Sequence, residues 1–381
     1  MGKNKLSSVE ATLLITGSGL GTGILAIPYF VVKMGLIQAM IALLFACMIS
    51  IISHLMIADL TLHSKNSEQL LGMFQQHLFS GDRKNLFSKI FFLLLFIMLL
   101  LNLALYVTCA AEILHETFGL NYYFSEVLFY AVASGLVALG IKSIGVSEKI
   151  SMVIIAAVVL SLGILTLPHR TGGMLLTGGT PSIFLSLYAM CMFSFSAVFS
   201  VPQVVHYIKD KTKIRRCIIL GIACNATITL SFSLIVAFGV ANVTKVATIG
   251  LSDSIGTLAK TLSAIFVTLA MLTSYLSIAL AQIQVVRQHT GMKMAPVWCF
   301  STVPTLLMAV LLPLSYHAYI ELVGGVFAII IATMALPSYF RSVRGSDKLL
   351  LGVRTGKSKI SVMAIFFCYL LMAAGALIPV S

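Results

Sequence analysis

A chain of 381 residues that is 59% hydrophobic and only 10% charged is not a soluble protein, because runs of about 20 apolar residues, each long enough to cross a ~30 Å hydrocarbon core, recur along its whole length. The net charge of +13 invites a nucleic-acid reading, but 21 of the 25 basic residues fall on one predicted side of the membrane, leaving only Lys33, Arg170, Lys245 and Lys260 on the other. That asymmetry is the positive-inside bias of a membrane protein and excludes a nucleic-acid footprint; it sets the N-terminus in the cytoplasm and, with an odd number of spans, the C-terminus outside.

Eleven spans are predicted, at residues 7–33, 36–62, 89–114, 123–141, 148–168, 181–208, 214–241, 258–286, 295–313, 319–340 and 360–379. The first contains "GSGLGTGILAIP" from Gly17 to Pro28, with Gly17, Gly19, Gly21 and Gly23 alternating along it. Each glycine costs a helix about 1 kcal/mol relative to alanine. The segment therefore reads as a break, with one half-helix ending near Thr16 and another starting near Thr22. Close packing through small residues is the alternative. Between spans 2 and 3, "SEQLLGMFQQHLF" places Leu70, Leu71, Met73, Phe74, Leu78 and Phe79 on one side of a short amphipathic surface helix. A gate is the other reading of that helix. Span 6 holds "MFSFSAVFSVP" from Met192 to Pro202, a second interrupted segment five spans after the first. Interruptions at corresponding places in two halves point to an inverted-repeat transporter. The repeats are then 7–168 and 181–340, with 360–379 added, in one domain over 1–381. The loop after span 7 carries an N-x-T sequon at Asn242, which matters only in a eukaryote; the short loops fit a bacterial inner membrane better.

At ~1.5 Å per residue the glycines lie roughly 15–24 Å into span 1, the same layer as Phe193 to Ser200, Asn102, Asn225 and the pair Thr273-Ser274. A broken helix at that depth offers free N–H groups near Thr22 to a carboxylate. It also offers free carbonyls near Thr16 to an ammonium group or a small cation. Irregular backbone there requires protein or a wet cavity to satisfy it. For Thr273 and Ser274 the plainer reading is a bond to their own helix backbone. The acidic residues Glu10, Asp59, Glu126, Glu148, Asp210 and Asp347 sit near predicted span ends, and Glu112 and Glu321 towards the outside. A core without a central charge implies a net-neutral substrate. His54 and His206 are candidates for proton-linked gating. The seven cysteines lack a CxxC pair and read as packing residues. No Ser-His-Asp set, HExxH, catalytic carboxylate pair or phosphate loop is present, so no enzyme, cofactor or metal beyond a Na⁺ site is expected.

Three segments carry a resemblance: "GSGLGTGILAIPY" (Gly17 to Tyr29), "LYVTCAAEIL" (Leu105 to Leu114) and "LTSYLSIALA" (Leu272 to Ala281). They resemble the amino acid/auxin permease family, in the branch of bacterial tyrosine and tryptophan permeases within the amino acid–polyamine–organocation superfamily. The resemblance implies an all-α polytopic, leucine-transporter-like fold of five plus five spans with discontinuous helices 1 and 6. It implies a substrate carboxylate on Gly21, Thr22 and Gly23. Carbonyls near Ser18 and Gly19, with Phe193, Ser194, Phe195 and Ser196, take the amino group and side chain. Tyr106 and Phe195 fence the substrate. It implies a cation site at Gly17, Leu20, Ala270, Thr273 and Ser274. Independently of the resemblance, Asn102 and Asn225 by their depth, and Glu112 as an ionisable group within a span, are candidates for coupling or gating. Where those permeases often carry glycines, this chain has Ala110, Ala111 and Glu112, which leaves small neutral amino acids such as serine and threonine open. The implied function is symport of a neutral, aromatic L-amino acid with H⁺ or Na⁺; a facilitative pore and a transporter-derived sensor are the alternatives. The substrate and the bilayer are the only partners expected, with no obligatory protein partner.

Overall fold

The computed structural model describes residues 6–21, 23–64, 69–79, 82–169, 178–240, 251, 254–312, 314, 316–343 and 359–378, and their regular structure is entirely helical. In chain order the helices are α1 (Ser8–Leu20), α2 (Gly23–Met34), α3 (Leu36–His63), α4 (Leu70–His77), α5 (Lys84–Phe118), α6 (Tyr122–Ala138) and α7 (Ile141–Thr166). There follow α8 (Pro181–Ser194), α9 (Ser200–Tyr207), α10 (Lys211–Gly239), α11 (Thr257–Thr290), α12 (Met294–Leu311), α13 (Tyr316–Ile330), α14 (Leu336–Val343) and α15 (Lys359–Ala376). A π-helical turn, Ile331–Ala335, joins α13 to α14.

Local chemistry explains the ends. Ser7 and Glu10 form a reciprocal capping box at the start of α1. Thr180 caps α8 with Pro181 as its first residue, and Asp210 caps α10 through the N–H of Thr212. Gly119 and Gly291 close α5 and α11 in the left-handed region, with φ of 66° and 68°.

Among the described residues eight helices are long and apolar enough to cross a membrane, and the pair α1–α2, bent by 63°, makes a ninth. The fourth and sixth expected spans are shorter: α6 has 17 residues, and α8 has 14 before its backbone unwinds. α11 is the deepest span, with 78% of its apolar window buried against 28% for α12. Thus α11, packed along α5 and α7, forms the scaffold at the centre, and α1 lies between α11 and α10. Lipid-facing apolar residues such as Leu93 and Ile97 of α5 and Val153 and Leu160 of α7 cover the outside.

Two expectations are corrected here. The surface helix is α4, but Leu70, Leu71, Met73 and Phe74 are fully buried. They pack on α5 and α14, and Arg341 donates to the carbonyls of His77 and Leu78. The apolar stripe meets protein rather than lipid headgroups. Second, the fifth span begins at Ile141, not 148, so Glu148 lies two turns inside α7. The expected boundary followed the charges of Glu148 and Lys149, whereas Lys149 turns outward and Glu148 inward.

Candidate functional site

The first break falls between Leu20, the last residue of α1, and Gly23, the first of α2; Thr22 is outside the described residues. α1 therefore runs one turn beyond the expected end at Thr16, to Leu20. In an unbroken helix the N–H of Gly21 would bond the carbonyl of Gly17. Here the Ser274 hydroxyl stands between them: it accepts from Gly21 N–H at 2.9 Å and donates to Gly17 O at 2.9 Å. The Thr273 hydroxyl lies 3.2 Å from Gly17 O and 3.0 Å from Ala270 O in its own helix. The two hydroxyls of α11 thus satisfy backbone that the break sets free. Ser274 bonds across helices, and Thr273 reaches both its own helix and α1.

The second break spans Phe195 to Phe199, between α8 and α9. Its backbone is also held by side chains. Asn225 of α10 donates to Ser194 O at 2.8 Å and accepts from Thr229 at 3.1 Å. The N–H of Ala197 donates to Nε2 of His54 at 2.7 Å. Because Nε2 accepts, Nδ1 carries the proton and donates to Ser50 O at 2.6 Å. Gly19 brings α1 against this segment. A Cβ there would meet Asn225 Nδ2 at 2.6 Å, Ser196 O at 3.3 Å and, closer still, Ser194 O. The glycines therefore combine both readings of the motif, a gap in the helix and close approach to a second gap.

Between the breaks lies a cavity of about 20 Å³, lined by Ser18, Gly19, Gly21, Asn102, Tyr106, Phe193, Ser196, Phe199, Ile278 and Phe327. That is room for about one water molecule, so this conformation is closed around an unexpanded pocket. Of the residues expected to bind substrate, Ser18, Gly19, Gly21, Tyr106, Phe193 and Ser196 line it. Ser194 and Phe195 are fully buried behind its wall, and Gly23 packs on Ser194. Of the gating candidates, Asn102 lines the cavity, Asn225 supports the second break from behind, and Glu112 lies half-buried near the far end of α5. Ala110 and Ala111 are fully buried away from it. His206 lies beside a separate groove with Gln284 and Arg287. Phe199, Ile278 and Phe327 were not expected. Ile278 follows Ser274 by one helical turn, a spacing visible in the sequence. Phe327 has no such signal; its ring meets Phe193 at 6.3 Å and Phe199 at 6.1 Å.

The expectation of a core without carboxylates is also corrected. Glu148 is fully buried. Its Oε1 accepts from Ser277 of α11 at 3.4 Å, and its Oε2 has no hydrogen-bond partner. Oε2 presses on Gly17, where an added Cβ would also meet Thr273 Cβ at 2.9 Å. The carboxylate lies beside the Thr273 cluster rather than in the cavity, so the cavity itself is neutral.

Comparison with known proteins agrees with this arrangement. The structure is similar to MhsT in complex with L-phenylalanine, with a TM-score of 0.70 at 16% identity over 97% of this chain and 100% of that one. It is also similar to Mhp1, a nucleobase-cation-symport-1 family transporter in a closed conformation with bromovinylhydantoin bound; the TM-score is 0.68 at 14% identity over 98% and 91%. These likenesses establish the leucine-transporter-like fold with discontinuous first and sixth helices. In sequence, the chain is 26% identical over 291 residues to glutamine transporter 2 of Aliivibrio fischeri, covering 71% of this chain and 72% of that protein. It is a multi-pass membrane transporter of amino acids or related compounds and not an enzyme. With its match to the tryptophan/tyrosine permease family model running from residue 4 to 374, the chain belongs to that family.

Proposed function

We propose that this protein is a secondary active importer of neutral, aromatic L-amino acids, driven by symport of H⁺ or Na⁺. The observation that carries the reading is the cavity itself. It joins two helix breaks to an apolar wall of Phe193, Phe199, Phe327 and Ile278, with Tyr106 beside Gly21. Backbone at the breaks serves the charged ends of a zwitterion, and the rings serve an aromatic side chain. The walls have to separate before such a substrate fits. Spans 1, 2, 6 and 7 rocking against α5 and α11 would provide that movement. The proposed setting is a bacterial inner membrane with the N-terminus in the cytoplasm and the C-terminus outside.

A second reading has its own observation. Asn102 lines the cavity with an unpartnered, buried Oδ1. That acceptor suits a side-chain amide, and the curated relative is a glutamine transporter. Competition against tyrosine uptake in proteoliposomes separates the two, using tryptophan, phenylalanine, glutamine, serine and threonine with and without Na⁺ at two pH values. Block by aromatic competitors alone supports the first reading; glutamine as the sole strong competitor supports the second. Uptake that never exceeds equilibrium under either gradient overturns symport.

A further inference from the structure

We propose that the groove beside α9 and α11 binds one acidic phospholipid, with its phosphate on Arg287 and the start of its acyl chains on an apolar floor. The groove has a volume of about 550 Å³ and shares no lining residue with the cavity between the breaks. It lies where α6, α9 and α11 end and α7 and α12 begin, at the end of the bundle proposed to face the cytoplasm. Along α11, Leu280, Ile283, Gln284 and Arg287 recur at the spacing of one helix face, so the floor runs straight into the guanidinium. The first three are buried and Arg287 is exposed. Val137 and Ile141 continue the apolar surface on the other side. Trp298 completes it: its Nε1 donates to the carbonyl of Ser134 at 3.0 Å, which leaves the ring as apolar wall. A tryptophan held this way near a helix end suits the headgroup level of a bilayer.

Charge selects the occupant. Arg287 is the one lining side chain with a permanent charge, and among the described residues no carboxylate pairs with it. The residues flanking the lining add further cations: Lys142 follows Ile141, Lys293 precedes Met294 and Lys209 stands two residues after Tyr207, all exposed. The acids nearest to these in the chain are engaged elsewhere. Asp210 accepts from the N–H groups of Thr212 and Lys213, and Glu148 accepts from Ser277. A sidedness bias accounts for lysines in loops, but not for a guanidinium at the head of an apolar floor. A soluble anion would use Arg287 and leave the floor bare; an apolar tail would cover the floor and leave the guanidinium. A zwitterionic amino acid or a choline headgroup would set an ammonium group against the cationic rim. An acidic phospholipid satisfies both parts, because its phosphate matches the guanidinium fork and its chains cover apolar surface.

The test uses the purified full-length chain in neutral detergent and the fluorescence of its single tryptophan, Trp298, which stands in the groove wall. Phosphatidylglycerol or phosphatidylcholine with brominated chains is titrated in, because bromine quenches an indole only at close range. Each variant is first shown to be monodisperse with wild-type emission before lipid is added. Wild type should be half-quenched at a lower concentration of phosphatidylglycerol than of phosphatidylcholine. Arg287→Gln should shrink that preference about fivefold, the worth of one basic residue at an anionic surface. Arg287→Lys should keep most of it. Arg216→Gln, which removes an exposed charge at the same end of the bundle but outside the groove, should leave it unchanged. Equal quenching by the two lipids in wild type overturns the proposal, as does an undiminished preference in Arg287→Gln or an equal fall in Arg216→Gln. Inorganic phosphate that relieves the quenching more than NaCl of equal ionic strength marks a soluble-anion site and also overturns it.

Discussion

Alanine is expected to act in opposite directions at two glycines of this bundle, Gly19 and Gly135. Both lie within helices, so propensity alone favours alanine by about 1 kcal/mol at either. Gly135 of α6 is exposed on the outside of the bundle, and nothing lies within 4 Å of its added Cβ. The gain there is unopposed. At Gly19 the Cβ would lie 2.6 Å from Asn225 Nδ2, where ordinary contact is about 3.5 Å, so the neighbour has to retreat by roughly 0.9 Å. The other two contacts are backbone oxygens of the second break, Ser194 O and Ser196 O, which cannot swing aside as a flexible side chain would. Overpacking of this kind costs about 1–3 kcal/mol. Displacing Asn225 also breaks its 2.8 Å bond to Ser194 O, and a buried carbonyl left unpaired adds about 1–3 kcal/mol. After the propensity gain, Gly19→Ala is net destabilising by roughly 1–5 kcal/mol. Thermal unfolding in detergent and tyrosine uptake in proteoliposomes measure both variants. Gly19→Ala should melt below wild type and lose most uptake; Gly135→Ala should melt at or above wild type and transport normally. If Gly19→Ala matches wild type in both assays, α1 and the second break are not in backbone contact, and the site as described is wrong.

His54→Leu removes the acceptor of the Ala197 N–H; it should lower the melting midpoint and uptake through a buried unpaired donor worth about 1–3 kcal/mol. His54→Gln, with an oxygen to offer, should recover part of both, and a Leu variant as stable and active as wild type contradicts the role. Gln69→Ala breaks the bonds from Gln69 to Phe199 O at 3.3 Å and to Gln284 at 2.7 Å; hydrogen exchange across α9 and efflux of preloaded substrate should both accelerate, and unchanged exchange would show that these bonds do not hold α9 in place. Burial, and then the nearby His63, hold the His77 imidazole below its usual range. The unfolded form of α4 therefore binds the proton better, so docking is intact above about pH 6.5 and weakens as the pH falls below it. Exchange protection of α4 should drop over that interval in wild type, and His77→Asn should flatten the dependence.

What the sequence discloses about this molecule follows the range of the forces involved. The apolar spans and the two breaks depend on local composition, and both breaks fall within the quoted segments. Ile278 was within reach, because its position follows from Ser274 and the helical repeat. Glu148 was not. A charge followed by Lys149 has the local look of a span boundary, and its burial depends on Gly17 and Ser277, 129 residues away from it in the latter case. The α4 stripe fails for a similar reason: an apolar face has one sequence pattern whether lipid or α5 and α14 cover it. Phe327 enters the cavity wall only because α13 meets the second break, a tertiary fact with no local mark.

The proposed substrate and cation sites share atoms, and this bears on how a cation and a substrate would influence one another. Ser274 holds Gly17 O, an oxygen of the cluster near Glu148, and also Gly21 N–H, on the cavity side. In this closed structure the N–H that a substrate carboxylate would use is already occupied by that hydroxyl. A carboxylate arriving at Gly21 has to displace Ser274 or share the donor with it. A displaced Ser274 keeps its hydrogen for Gly17 O and frees its lone pairs for the neighbouring cluster. Each ligand then alters the partner set of the other through one side chain on the α11 scaffold. Coupling of this kind needs no extended pathway through the bundle. It requires that Ser274 have two arrangements, one bridging Gly21 N–H and Gly17 O as here and one in which the Gly21 N–H is given up to the substrate.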